Sequence, residues 1–532
     1  MSSLACLLAL TFAAGAGGNA PRPLEVVLQD DAHLLHGTPA QVGEAAGQIA
    51  SAGADRVRIT AGWSTIAPSP RSRRRPHFDA TDPAAYPEGG WRRLDRAVKA
   101  AHTRDLDVMI DIAFWAPRWA VSRGLERGLP ARQRWAPSWR DYGHFAEAVA
   151  RRYSGVFPDP DDPDRPLPAV RLWTTWNEPN HQGFLLPQWR RTRTGWRPAA
   201  PHVYRRMHQA AYDVLKRVSP DNRVLVGGLA AKGSSGRGER VSLPPLRFTR
   251  ELACVDEEMR PLRIPECRNY RPLRADGFAI HPYSLDSTPD ASNPNLDTTQ
   301  IGDLDRLAGL LERLHANGRL AQELPLFVTE YGYETNPPDP KRGVSPEDQA
   351  RYLGQATFLA WQRGDTEMFA QFLLRDIGPD PRFAVGSGRR WRDWQSGLYT
   401  HDGEEKPALQ AFKLPFWVET RKVHGHPLTL VFGQIRPGAG RQAVVLELQD
   451  PDGAWREARS FEARPNADTS CETEGRSFLT DSAGFYLRVL PWRGERAYRA
   501  RWLRADGGVE YGLPVTSGPA DEAETTPVSG AP

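Results

Sequence analysis

Val170-Arg171-Leu172-Trp173-Thr174-Thr175-Trp176-Asn177-Glu178-Pro179 is a short apolar, β-branched run that stops on an acidic residue followed by proline. Such a run, bounded by a breaker, reads as a buried strand, and Pro179 keeps the chain from continuing in a regular ladder. The same grammar returns at Leu326-Phe327-Val328-Thr329-Glu330-Tyr331-Gly332. Working outward, comparable runs fall at 24–28, 56–60, 107–112, 170–175, 223–227, 277–280, 326–329 and 368–374. Most are followed by helix-like segments, the pattern of parallel βα units, and eight such units predict a closed (β/α)8 TIM barrel.

Helix boundaries support this division. Thr38-Pro39-Ala40-Gln41 combines an N-cap, a first-turn proline and a capping-box partner, and Gly53 closes the segment. Ser345-Pro346-Glu347-Asp348 opens another helix that ends near Gly364, and a third, at 304–314, ends near Gly318. Long insertions at 64–89, 115–137, 180–200, 231–270 and 377–405 follow strands, so a barrel collects them on the face that carries active sites.

Beyond the helix-like stretch 406–412 the period changes to strand alternation at 428–432, 443–448, 485–489 and 497–502, with a tight turn at Pro451-Asp452-Gly453. The expected domains are a barrel over 21–418, a small C-terminal antiparallel β-sandwich over 424–517 and a mobile tail over 518–532, whose Thr, Pro, Glu and Ala cannot supply a core. Trp455 and Trp492 in the sandwich are expected to pack rather than to bind sugar.

The 532 residues are 40% hydrophobic and 25% charged, with a net charge of +4 spread along the chain. That is ordinary globular composition without a concentrated footprint for nucleic acid. Residues 4–16 form one uncharged apolar stretch followed by small residues to Ala20, which reads as a secretory leader over 1–20, although no Lys or Arg precedes it. No other run is long enough for a membrane helix, so a secreted protein without an integral membrane segment is expected. Setting Cys6 aside leaves Cys254, Cys267 and Cys471; the first two either bridge one charged loop or remain thiols.

Strand ends in a barrel point at one face, so Glu178 after the fourth strand and Glu330 after the seventh are expected to share a pocket. Two carboxyl groups facing one bond suit glycosidic cleavage, in which one protonates the departing oxygen while the other attacks the sugar or activates water. Either glutamate alone is as readily an ion-paired rim residue; their joint placement favours the chemistry. Asn177 can both donate to and accept from a hydroxyl. Trp115 and Trp176 offer aromatic faces to a pyranose ring, whereas the other tryptophans near the face are expected to pack.

On these residues the chain resembles the clan of retaining βα-barrel glycoside hydrolases that includes cellulase-like family 5 and xylosidase-like family 39, over about residues 24–413. The resemblance implies Glu178 as acid/base, Glu330 as nucleophile and Asn177 as the partner of the sugar 2-hydroxyl. It further implies that Arg58 orients the nucleophile and that His281 and Tyr283 of His281-Pro282-Tyr283 line the site. A neutral or cationic hydrogen-bonding neighbour such as Tyr283 or Arg58 would keep a nucleophile ionised. Several relatives end the eighth strand with a Trp platform; this chain reads Phe372-Leu373-Leu374-Arg375-Asp376, which leaves Trp391 or Trp394 as substitutes. The expected partner is an oligosaccharide or polysaccharide, with no cofactor and no metal, since zinc-type His-Glu-His spacing is missing. A non-catalytic carbohydrate-binding protein on the same barrel is the competing reading.

Overall fold

The computed structural model describes residues 24–122, 133–423, 425–462, 476–520 and 524–525. Eight parallel strands, β1 (Glu25–Gln29), β2 (Arg56–Gly62), β3 (Asp107–Ala113), β4 (Leu172–Thr175), β5 (Arg223–Ala230), β6 (Gly277–His281), β7 (Leu326–Tyr331) and β8 (Thr366–Phe372), close into a barrel in sequence order. Eight helices alternate with them: α1 (Pro39–Ser51), α2 (Glu88–His102), α3 (Trp139–Arg152), α4 (Ala200–Val218), α5 (Pro245–Leu252), α6 (Leu304–Ala316), α7 (Pro346–Gln362) and α8 (Pro407–Lys413). The expected fold class is therefore the observed one.

Local chemistry explains these boundaries. The Thr38 hydroxyl accepts from the Gln41 amide while the Gln41 side chain accepts from the Thr38 amide, satisfying two donors that the first turn of α1 leaves open. The Ser345 hydroxyl does the same for the Asp348 amide in α7. Inside the barrel, Val27, Met109, Leu172, Leu225, Ala279, Phe327, Met368 and Ala370 form a separate apolar cluster. This plug closes the lower barrel and leaves the polar ends of the strands to line a cavity above it.

One register change matters for that cavity. Val328 of β7 pairs with Phe369 of β8, and Tyr331 pairs with Gln371, so β7 carries one residue more than β8 over the same span. Val328 and Tyr331 both belong to the outer core between strands and helices. Strict alternation would send Glu330 out with Val328; the bulge turns it inward.

The C-terminal region forms two antiparallel sheets around a core that includes Phe416, Val431, Val444, Tyr486, Tyr498 and Trp502. Its first strand, β9 (Phe416–Val423), crosses the boundary expected at 418–424 and follows α8 almost directly. It pairs with β10 (His426–Gln434), which pairs with Phe485–Pro491. Phe358 and Trp361 of α7 lie 5.2 and 5.1 Å from the Phe432 ring, joining sandwich and barrel through one apolar seam. The tail was expected to be mobile throughout, but Glu524–Thr525 pairs in parallel with Arg421 and Lys422. Trp455 packs under the Arg499 guanidinium at 4.2 Å.

Cys254 and Cys267 are joined as a disulfide. Residues 1–20, expected to form a leader, together with Cys6 and Cys471, lie outside the described residues. Among the described residues no helix is long and apolar enough to cross a membrane.

Candidate active site

Glu330 sits on β7 itself, on the floor of the cavity and 7% exposed. Arg58 of β2 donates through Nη1 to Glu330 Oε1 at 2.5 Å and through Nη2 to Asn177 Oδ1 at 3.1 Å and Asp111 Oδ2 at 3.2 Å. The same guanidinium donates to the Gln29 side chain. Tyr283 Oη completes the shell, donating to Glu330 Oε2 at 3.1 Å. Arg58, His281 and Tyr283 thus surround one carboxylate, and Asn177 joins them through Arg58.

Burial by itself pushes the Glu330 carboxyl up, but the charges of His281 and Arg58 and the hydrogen bonds from Arg58 and Tyr283 outweigh it, holding the group below its ordinary 4.5. Tyr283 moves the other way. Burial first, then the charges of Glu330 and Glu178, raise its hydroxyl well above 10, so it remains a donor. Asp111 is also pushed up by burial, against the opposing charge of Arg58.

Glu178 approaches from the loop after β4. Trp176 and Glu178 hold φ values of 69° and 40°, a left-handed conformation that is uncommon for such residues. Backbone bonds over-determine it: Trp176 N donates to Ile112 O and Glu178 N to Gly228 O, each at 2.9 Å. His281 Nδ1 lies 3.0 Å from Glu178 Oε1 and 3.4 Å from Glu330 Oε2, and donor atoms of the three side chains all fall within 4.8 Å of one another. That spacing is short enough to ligate a metal ion, but a cation there would compete with Arg58 for Glu330. His202, Cys254 and Cys267 are similarly clustered, with both sulfurs already committed to the disulfide.

Trp176 requires correction. Its side chain is fully buried, packs edge-on against Tyr142 at 5.7 Å and donates to Phe184 O, so it forms wall behind the cavity rather than surface for a sugar. The left-handed turn that presents Glu178 is what turns the indole inward. Trp115 stays half-buried at the end of β3, with its indole N–H bonded to Gly183 O at 3.3 Å. Of the two substitutes named for the platform, Trp394 is half-buried and lies 5.0 Å from the Tyr283 ring, with Phe372 edge-on at 5.3 Å. Gln29 and Asp111 were missed, because polar residues in strands carry no mark of facing inward.

No protein-family model matches the chain, and no curated protein matches it. Solved structures to which it is similar include a glucosidase from Croceicoccus marinus, at 14% identity and a TM-score of 0.47 over 90% of this chain and 98% of that one. A GH5_18 protein from Streptomyces cattleya in complex with GlcNAc follows at 16% and 0.45, over 74% and 79%. The endo-beta-1,4-mannanase from Thermotoga petrophila matches at 12% and 0.40, over 94% and 98%. The assignment of a site rests on the geometry above and not on these distant likenesses.

Proposed function

We propose that this protein is a retaining glycoside hydrolase that cleaves β-linked O-glycosidic bonds of an oligosaccharide or polysaccharide. The observation that carries the reading is the placement of Glu178 and Glu330 with carboxylate oxygens within 4.8 Å. Retaining enzymes hold their two carboxyl groups about 5–5.5 Å apart, whereas inverting ones need about 6.5–9.5 Å to admit a water.

In the first step Glu330 attacks the anomeric carbon while Glu178 gives its proton to the departing oxygen. In the second, Glu178 takes a proton from water, which attacks the same carbon and releases Glu330. The two residues are not interchangeable. Glu330 is held ionised by Arg58 and Tyr283, which suits a nucleophile, and Glu178 lies outside that clamp, nearer the rim. The apolar stretch at 4–16 and the Cys254–Cys267 bridge favour action outside the cytoplasm.

A panel of 4-nitrophenyl β-glycosides supplies the test. Glu330→Ala should abolish turnover, and added azide should restore some of it, yielding a glycosyl azide of inverted anomeric configuration. Turnover at the unaltered rate in Glu330→Ala would remove the assignment.

A further inference from the structure

Beside the acid/base lies a cationic wall that the double displacement does not use. Gly183 O accepts from Trp115 Nε1 at 3.3 Å and from Arg134 Nη1 at 2.7 Å, and His181 of the same turn places Nδ1 3.9 Å from Glu178 Oε2. Arg134 is therefore tied to the turn that directly follows Glu178, the residue assigned to protonate the departing group. The loop bearing Arg240 is laid against this turn: Gln182 N donates to Ser242 Oγ at 3.0 Å and Leu243 N to Asn180 O at 2.9 Å.

Among the described residues neither arginine has an ion-pair partner, and Arg134 Nε is buried without a hydrogen-bond acceptor. Burial first, then the like charge of Arg240, hold the Arg134 guanidinium below its ordinary range. Two cations near enough for one to disfavour the other's charge are stabilised when an anion pairs with them.

We propose that the leaving-group side of the cleft recognises an acidic sugar, with Arg134 and Arg240 holding its carboxylate or sulfate. This deepens the hydrolase reading and rests on it for the identity of the leaving-group side. A planar carboxylate, as in a uronic acid, suits paired N–H donors best.

Titrate 4-hydroxybenzoate, 4-hydroxybenzenesulfonate and phenol into the full chain, following ligand resonances by NMR, and compare KM for 4-carboxyphenyl and phenyl β-glycosides of the sugar the enzyme accepts. The carboxylated ligand should bind about fivefold tighter than phenol, with the preference shrinking in high salt. It should collapse in Arg134→Gln and in Arg240→Gln; the latter alters an exposed side chain, so folding is not at issue. Preference for benzoate over sulfonate assigns a uronic acid, and the reverse assigns a sulfate ester. Equal binding of phenol and both anions, or a preference that survives both variants, would overturn the inference. An inert protein that keeps the preference overturns only the hydrolase reading; an active one that lacks it overturns only this one.

Discussion

Arg58 of β2 and Glu330 of β7 are 272 residues apart in sequence and 2.5 Å apart in space, and the pair is the electrostatic centre of the cavity. Arg58 also reaches Asp111 and Asn177, so one buried cation holds Glu330, Asp111 and Asn177 together.

Arg58→Met should therefore destabilise the fold by about 3–5 kcal/mol, because Asp111 and Glu330 lose the buried cation they share and Glu330 keeps only His281 beside it. Chemical denaturation measures this. Any surviving activity should show the acid limb of kcat/KM displaced to higher pH, since one of the two charges that depress the Glu330 carboxyl is gone, together with its hydrogen bond.

In the unaltered protein the sign follows from the depressed Glu330 carboxyl. Stability contributed by its ionised form is fully present above the ordinary 4.5 and is lost as pH falls through the lower folded value. Activity should fall over the same acidic window. Denaturation midpoints between pH 7 and pH 3 should drop less steeply in Glu330→Gln than in the wild type; parallel curves would contradict the assignment.

Tyr283→Phe removes one hydrogen bond to a charged acceptor and little volume. The expected loss in kcat/KM is about tenfold. A change of less than twofold would mean that the hydroxyl does not serve Glu330 during the reaction.

Trp394→Ala tests the platform. Removing an aromatic face that supports the sugar should raise KM about fivefold and leave kcat less affected. Unchanged KM would return Trp394 to a packing role against Tyr283 and Phe372.

Replacing Cys254 and Cys267 together by alanine should lower stability by about 3 kcal/mol, because the bridge closes a loop with a sequence separation of 13 and limits its unfolded freedom. Urea denaturation reads this directly, and an unchanged midpoint would rule out a stabilising bridge.

The barrel was legible because its strands are short apolar runs separated by well-capped helices, as at Thr38 and Ser345. Glu178 and Glu330 were legible because each closes such a run. The sandwich strand Phe416–Val423 escaped because Trp417, Glu419 and Arg421 alternate on its less buried face and no turn separates it from α8. Trp176 was misread for a different reason: standing two residues before Glu178 does not reveal that a left-handed backbone carries its indole inward. Trp394 could be placed only once the loop after β8 had folded back over Tyr283, a contact between distant segments that local pattern does not encode.

The extra residue in β7 separates two demands that an even strand would couple. Below it, Leu326 to Val328 answer to their neighbours in the staves of the barrel; above it, Glu330 answers to the cleft. Someone re-engineering this scaffold for heat tolerance has freedom at Phe327 and Met368, since repacking the plug does not rotate the acidic side chain overhead.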